Sequence, residues 1–148
     1  MSNKPIKKQT AVALARGTAR LLLSLGCIPI TEFSLETGRR VDVFGITKNG
    51  SLIAVEVKST REDFLSDQKW PEYLDYCDQF YFAVPEMFPD TLLPQDQGLM
   101  KVDEFTGVII RAPKPSPVKP ARRKAILTRF GRTAAARLRR FTDPEGML

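Results

Sequence analysis

The sequence predicts an α/β fold, a mixed β-sheet flanked by helices and followed by a basic helical extension. Three observations predict it. Apolar residues pass from helical spacing over 10–26 to strand alternation over 28–58. Two glycine turns, "TGR" and "KNG", cut the second stretch into three short strands. After a further helical segment comes "QFYFAV", a nearly all-apolar run of the kind that a sheet buries on both faces.

Each element has its own local cause. Over 10–26, Val12, Ala15, Ala19 and Leu22 form an apolar stripe that Leu14, Leu21 and Leu25 widen; Arg16 and Arg20 take the other face and Gly26 stops the helix. "IPITEFSLE", "RVDVFGI" and "SLIAVEVK" read as strands. "STREDFLSDQK" opens a helix with Thr60 and Asp63 as a capping box. Pro71 kinks or restarts it, because Trp70 is pushed out of the α region, and "PEYLDYC" continues. Residues 85–97 are a Pro-rich loop or a single helical turn, and "GLMKVDEF" with "GVIIRA" forms a closing hairpin. The expected organisation is one domain over 1–112, a polyproline-like linker over 113–120 and a basic helix over 121–148.

Composition narrows the chemistry. The chain has 148 residues, net charge +6, two cysteines and no histidine. Lack of histidine excludes Ser–His–Asp and Cys–His catalysis and any metal site that needs imidazole. Cys27 and Cys77 have no CxxC spacing and read as buried thiols. No apolar run approaches the ~20 residues of a membrane span, and Arg16 and Arg20 interrupt what would be the apolar part of a signal peptide. The expectation is a cytoplasmic, nucleoid-associated protein with no membrane partner. The acids concentrate in the centre of the chain, whereas residues 111–142 carry eleven basic residues and no acid. Such one-sided charge points to a polyanion, and nucleic acid is the preferred one.

The stretch "VDVFGITKNGSLIAVEVKS" holds Asp42, Glu56 and Lys58 in an otherwise apolar segment. A two-residue Asn49-Gly50 turn would put Asp42 and Glu56 on opposite faces. A three-residue Lys48-Asn49-Gly50 loop, with Gly50 left-handed, sets Asp42 directly opposite Glu56 and collects Val41, Val43, Ile53, Val55 and Val57 on the other face. The second register separates charge from hydrocarbon and is the one expected. By the same reasoning a Thr37-Gly38-Arg39 loop joins the first two strands. It sets Ser34 opposite Asp42, puts Phe33 and Leu35 with Val41 and Val43, and adds Glu32 and Glu36 to the charged face. Opposed carboxylates about 5 Å apart at their β-carbons resist joint ionisation, and a divalent cation relieves them. Oxygen donors suit Mg²⁺ or Mn²⁺. The Val57 carbonyl is a further donor, and Lys58 is placed to orient water or to neutralise a phosphate in its transition state. An exposed strand face with a simple Lys58–Glu56 or Lys58–Asp42 ion pair is the plainer alternative.

D-x13-E-V-K, formed by Asp42 and Glu56-Val57-Lys58, spans a hairpin that follows a helix and a strand and precedes a helix. It resembles the PD-(D/E)xK nuclease superfamily. More narrowly, "GRRVDVFGI", "VEVKSTREDFLSDQKWPEYLDYCDQFYFAVP" and "LLPQDQGLM" are similar to the bacterial MmcB-like DNA repair family, over about residues 10–112. The resemblance implies a restriction-endonuclease-like fold, a role in the DNA damage response, and a metal-dependent phosphodiesterase site with Asp42, Glu56 and Lys58 as catalytic residues. Many members of the superfamily bring another acid from the first helix. Residues 10–26 contain none, so Glu32, or failing it Glu36, takes that place and the expected metal set is Asp42, Glu56, Val57 and Glu32.

Around this site, Arg39 and Arg40 lie at a turn where they reach flanking phosphates. Arg122, Arg123, Lys124, Arg129 and Arg132 in the tail are expected to bind the backbone of duplex, damaged or structured DNA, with strong salt dependence. Trp70, Tyr73 and Tyr76 fit core packing under a kinked helix better than base stacking. The function expected is DNA phosphodiester hydrolysis in repair. The alternative is a catalytically inactive nuclease-fold protein that binds DNA or delivers other repair proteins.

Overall fold

The computed structural model describes residues 10–146, so the basic start of the chain lies outside the described residues. Helix α1 (Ala11–Ser24) leads into strands β1 (Cys27–Ser34), β2 (Arg40–Thr47) and β3 (Leu52–Val57). Helix α2 (Arg61–Ser66) and a 3₁₀ helix (Trp70–Tyr76) return the chain to β4 (Gln79–Val84). Strands β5 (Gly98–Val102) and β6 (Gly107–Arg111) and helix α3 (Pro120–Thr142) follow. The six strands form one sheet in the order β1-β2-β3-β4-β5-β6. The β1–β2, β2–β3 and β5–β6 pairs are antiparallel, and β3–β4 and β4–β5 are parallel. The sheet is therefore mixed and flanked by helices, in the element order that the sequence predicts.

Both faces are covered. On one, α1 packs Leu14, Leu21 and Leu22 against Val43, Val55, Tyr81 and Met100. On the other, Phe64 of α2, Tyr73 of the 3₁₀ helix and Ile126 of α3 cover Phe44, Ala54, Phe80, Phe82 and Leu99. The predicted α1 stripe is rotated: Val12 is 72% exposed and Leu25 is also exposed, while Gly17 and Thr18 are buried. Gly17 lies so close to the Asp103 carbonyl that no β-carbon fits there, which brings the helix onto the β5–β6 turn. Thr18 loses nothing by burial, because its hydroxyl donates to the Leu14 carbonyl at 2.8 Å. Pro71 restarts the chain as a 3₁₀ helix, and Trp70 packs on Phe80 and Phe82 with ring centroids 5.8 and 5.4 Å apart. Trp70 and Tyr73 are thus core residues, as their apolar bodies demand.

The β2–β3 turn has the expected register. The Thr47 N–H donates to the Ser51 carbonyl at 3.0 Å, Gly50 sits at φ +81°, and Val43 faces Val55. The β1–β2 turn differs by two residues. Leu35 N–H donates to the Arg39 carbonyl and Phe33 faces Val41, so the loop is Glu36-Thr37-Gly38. Its glycine, at φ +86°, takes the same third, left-handed position as Gly50. Register then brings Glu32, not Ser34, opposite Asp42. The expected single apolar face is also divided. Phe33, Leu35 and Val41 join the cluster under α3, whereas Val43 joins the cluster under α1. Alternation breaks at Glu32, whose φ of +51° is rare for a residue with a side chain.

Helix α3 docks on the domain. Ile126 is buried and Phe130 packs against Phe33 and Phe44; a buried side chain of this size stabilises by about 1.5–3 kcal/mol. The Pro-rich segment before it is tied down at Asp78. That carboxylate accepts hydrogen bonds from the N–H groups of Leu52 (2.7 Å) and Val118 (3.0 Å) and pairs with Arg123, while the Asp78 carbonyl accepts from Ser116 N–H at 2.9 Å.

Candidate active site

Strand β3 is buried along its whole length, and its C-terminal end carries two buried charged groups, Glu56 (6% exposed) and Lys58 (4% exposed). The charged face is not the open surface that alternation alone suggests. Glu56 follows Leu52 and Ala54 on the side covered by the 3₁₀ helix. The β2–β3 ladder ends at Val43 and Val55. Beyond it the next ladder partner of the Val57 N–H would be the Val41 carbonyl. The N–H instead donates to Asp42 Oδ2 at 2.8 Å. Asp42 thus enters a gap where β2 leaves β3, and its carboxyl group hydrogen-bonds that of Glu56. In an extended strand the N–H and C=O of one residue point the same way, so the Val57 carbonyl faces this gap too.

Electrostatics follow from the burial. Desolvation, then the hydrogen bond and charge of Asp42, push the Glu56 carboxyl up to about 9; Lys58 opposes this and Asp67 adds to it. At neutral pH the pair therefore retains a proton. Lys58 is in no salt bridge among the described residues, so the plain ion-pair alternative is not what the strand end forms. Tyr73 covers the pair. Its hydroxyl donates to the Arg40 carbonyl at 3.2 Å, and burial, then Glu56 and Asp42, raise its pKa. Thr60 and Asp63 begin α2 just beyond Lys58. Thr60 Oγ accepts from Asp63 N–H at 3.0 Å, and the Asp63 carboxylate accepts from Ser59 N–H at 3.0 Å, which fixes the chain after β3.

A stability prediction follows. The unfolded chain releases the Glu56 proton near the ordinary carboxyl value of 4.5 and the folded chain holds it to about 9. Between these values the unfolded state binds fewer protons, so stability falls as pH rises, by at most about 1.4 kcal/mol per pH unit. Glu56→Gln keeps a donor toward Asp42 and removes the ionisation. In EDTA its melting temperature should exceed that of the wild type at pH 8, with the gap closing towards pH 5 in a thermal scan.

The other predicted residues separate into groups. Asp42, Glu56, Val57 and Lys58 come together. Glu32 lies opposite Asp42 in register but is exposed, and no three acidic or cysteine side chains converge among the described residues. Its kink is held from α3, where Arg137 donates to the carbonyls of Thr31 and Glu32. Glu36 leaves the charged face to accept from the Tyr76 hydroxyl at 3.3 Å. Arg39 pairs with Glu72 at 2.7 Å, and Arg40 is exposed. Arg122 lies over the Tyr76 ring, 4.9 Å from its centroid. Arg123 departs from the expectation of a DNA contact: its guanidinium pairs with Asp78 and donates to the Gly50 carbonyl at 2.9 Å. Lys124, Arg129 and Arg132 line a cleft beside α3. Sequence reasoning missed Asp78; Asp67 reads in sequence only as an acid solvating the helix after β3, and Arg137 only as one of the basic residues of the tail.

No helix of the described residues is long and apolar enough to cross a membrane. No curated protein matches the chain. Among solved structures, the SPO1766 protein of Silicibacter pomeroyi, described as of unknown function, is 40% identical, with 97% of this chain and 98% of that chain covered and a TM-score of 0.90. A repair endonuclease from Pyrococcus abyssi is 18% identical, with 68% of this chain and 50% of that chain covered and a TM-score of 0.43. The family model described as DNA repair protein MmcB-like matches residues 3–145, and the chain belongs to the MmcB-like DNA repair protein family.

Proposed function

We propose that this protein hydrolyses DNA phosphodiester bonds at the end of β3, with Asp42 and Glu56 as ligands of Mg²⁺ or Mn²⁺. The observation that carries the reading is the Asp42–Glu56 carboxyl pair, with Glu56 buried and Asp42 half-buried, beside the buried Lys58, which is in no salt bridge among the described residues. Two adjacent carboxyls, one of them buried, that must share a proton are costly by themselves, and a dication replaces that proton and offsets the repulsion. The donors fit such an ion, since two carboxyl groups and the Val57 carbonyl are all hard oxygens. When bound, the ion supplies Lewis-acid polarisation of a phosphoryl oxygen and an activated water. Lys58 holds a buried positive charge next to the pair, where it stabilises charge developing on phosphate. The Val57 N–H fixes the Asp42 carboxylate, and Tyr73 excludes water from one side of the pair. Membership of a DNA repair family supports DNA as the substrate.

A binding or scaffold role without catalysis is favoured by one observation: no third acid converges on the pair among the described residues. Incubation with nicked, flapped, single-stranded and lesion-bearing DNA separates the two readings. The nuclease reading expects cleavage of at least one substrate in Mn²⁺ that EDTA stops. Tight binding with no cleavage of any of them in Mn²⁺ or Mg²⁺ supports the scaffold.

A further inference from the structure

Between α3 and the β1–β2 turn lies an open cleft of about 1150 Å³. Seven lysine and arginine residues line it, against one acid, Glu36, which is engaged by Tyr76. Arg122 and Arg137 are committed to Tyr76 and to the β1 carbonyls. Lys119, Lys124, Arg129, Arg132 and Arg140 are in no salt bridge among the described residues. Unpaired like charges this close repel one another, so the folded state gains from an anion along the cleft. Ala125 and Ala136 sit between the cations on the same lining, small enough for a backbone to come near the helix. From Arg122 to Arg140 α3 advances roughly 27 Å, on the order of eight nucleotides of a stacked strand.

We infer that this cleft is a preformed anchoring site for the phosphodiester backbone of nucleic acid, separate from the carboxyl pair. It rests on the reading of nucleic acid as substrate, and it adds where a strand is held away from the chemistry. The site is a face of a docked helix and not a free arm: Ile126 and Phe130 fix α3 in the core, and this leaves Arg129 and Arg132 turned to the cleft. The 3₁₀ helix Trp70–Tyr76 joins the two sites, since Tyr73 lies beside Asp42 and Glu56 and Tyr76 lines the cleft. A concave recess suits a strand; a bilayer surface is flat and would meet only its rim.

Fluorescence anisotropy of the full chain in EDTA tests this, with a labelled 30-nucleotide single strand and the matching duplex at several salt concentrations. Arg129→Ala/Arg132→Ala changes two exposed side chains and should weaken binding to at least one form tenfold or more. It should also lower the slope of log affinity against log salt by between about 1.4 and 1.8, as two lost phosphate contacts require. Arg16→Ala/Arg20→Ala, the same loss of charge at two exposed positions of α1 on the opposite face of the sheet, should leave affinity and slope unchanged. Unchanged affinity and slope in the Arg129/Arg132 variant overturn the cleft while leaving the nuclease reading intact. Loss of binding in the Arg129/Arg132 variant from a protein that never cleaves DNA supports the cleft and removes the nuclease reading. Tighter binding to vesicles with one-third phosphatidylserine than to either DNA, or no binding to DNA at all, overturns the assignment to nucleic acid.

Discussion

Asp42→Ala and Glu56→Ala should each lower Mn²⁺-dependent DNA cleavage by about a thousandfold or more, equivalent to about 4 kcal/mol of lost transition-state stabilisation. Each removes one of two side-chain carboxyls at the pair, and neither Lys58 nor the Val57 carbonyl can replace an anionic ligand. Unfolding is separated from chemistry by Glu56→Gln, which should be as inactive as Glu56→Ala while melting higher than the wild type in EDTA at pH 8. Lys58→Met should lose about a hundredfold, the usual scale for one electrostatic donor, and should still bind Mn²⁺. Equal cleavage by the wild type and the Asp42 variant, measured as initial rates on one substrate, would place the chemistry elsewhere.

Asp78→Ala should be the most destabilising single change outside the core. Burial opposes ionisation of Asp78, but hydrogen bonds from Arg123 and from the Leu52 and Val118 N–H groups outweigh it and hold the carboxyl down at about 2. Truncation leaves the Arg123 charge and two buried N–H groups without their partner, a loss of about 3–5 kcal/mol. The ion pair contributes stability above the unfolded pKa near 3.8, and this is lost as pH falls from about 4 towards 2. Since Asp78 ties the start of β3 to the segment that precedes α3, the variant should also release α3. Trypsin would then cut at Arg122, Arg123 and Lys124 well before the rest of the chain. A urea midpoint and a tryptic pattern like those of the wild type would show that α3 is held chiefly by Ile126 and Phe130.

How far the sequence discloses this arrangement depends on the distance over which each feature is determined. The β2–β3 register is local. Gly50 must take the left-handed position, and only one loop length then separates Asp42 and Glu56 from the valines. The β1–β2 register is less determined, because a shift of two residues keeps every side chain on its face. The placing of Gly38 decides between the two choices, and it takes the third loop position. The break of alternation at Glu32 has no local signal. Its carbonyl is bound by Arg137, 105 residues away. Asp78 is of the same kind, with partners 26, 40 and 45 residues distant. The burial of Glu56 and Lys58 escapes a strand pattern as well. It arises because the 3₁₀ helix after Pro71 lies across the face that alternation marks as polar. Arg123 looked like its basic neighbours in sequence, and only the docking of α3 sets it against Asp78.

Anomalous scattering from a crystal soaked in Mn²⁺ shows whether Asp42 and Glu56 hold an ion together. A metal site shared by the two carboxyls requires a peak in contact with oxygens of both Asp42 and Glu56, absent from Glu56→Gln crystals under the same soak. Saturating Mn²⁺ that leaves no peak between these carboxyls, or a peak there that survives Glu56→Gln undiminished, would contradict it.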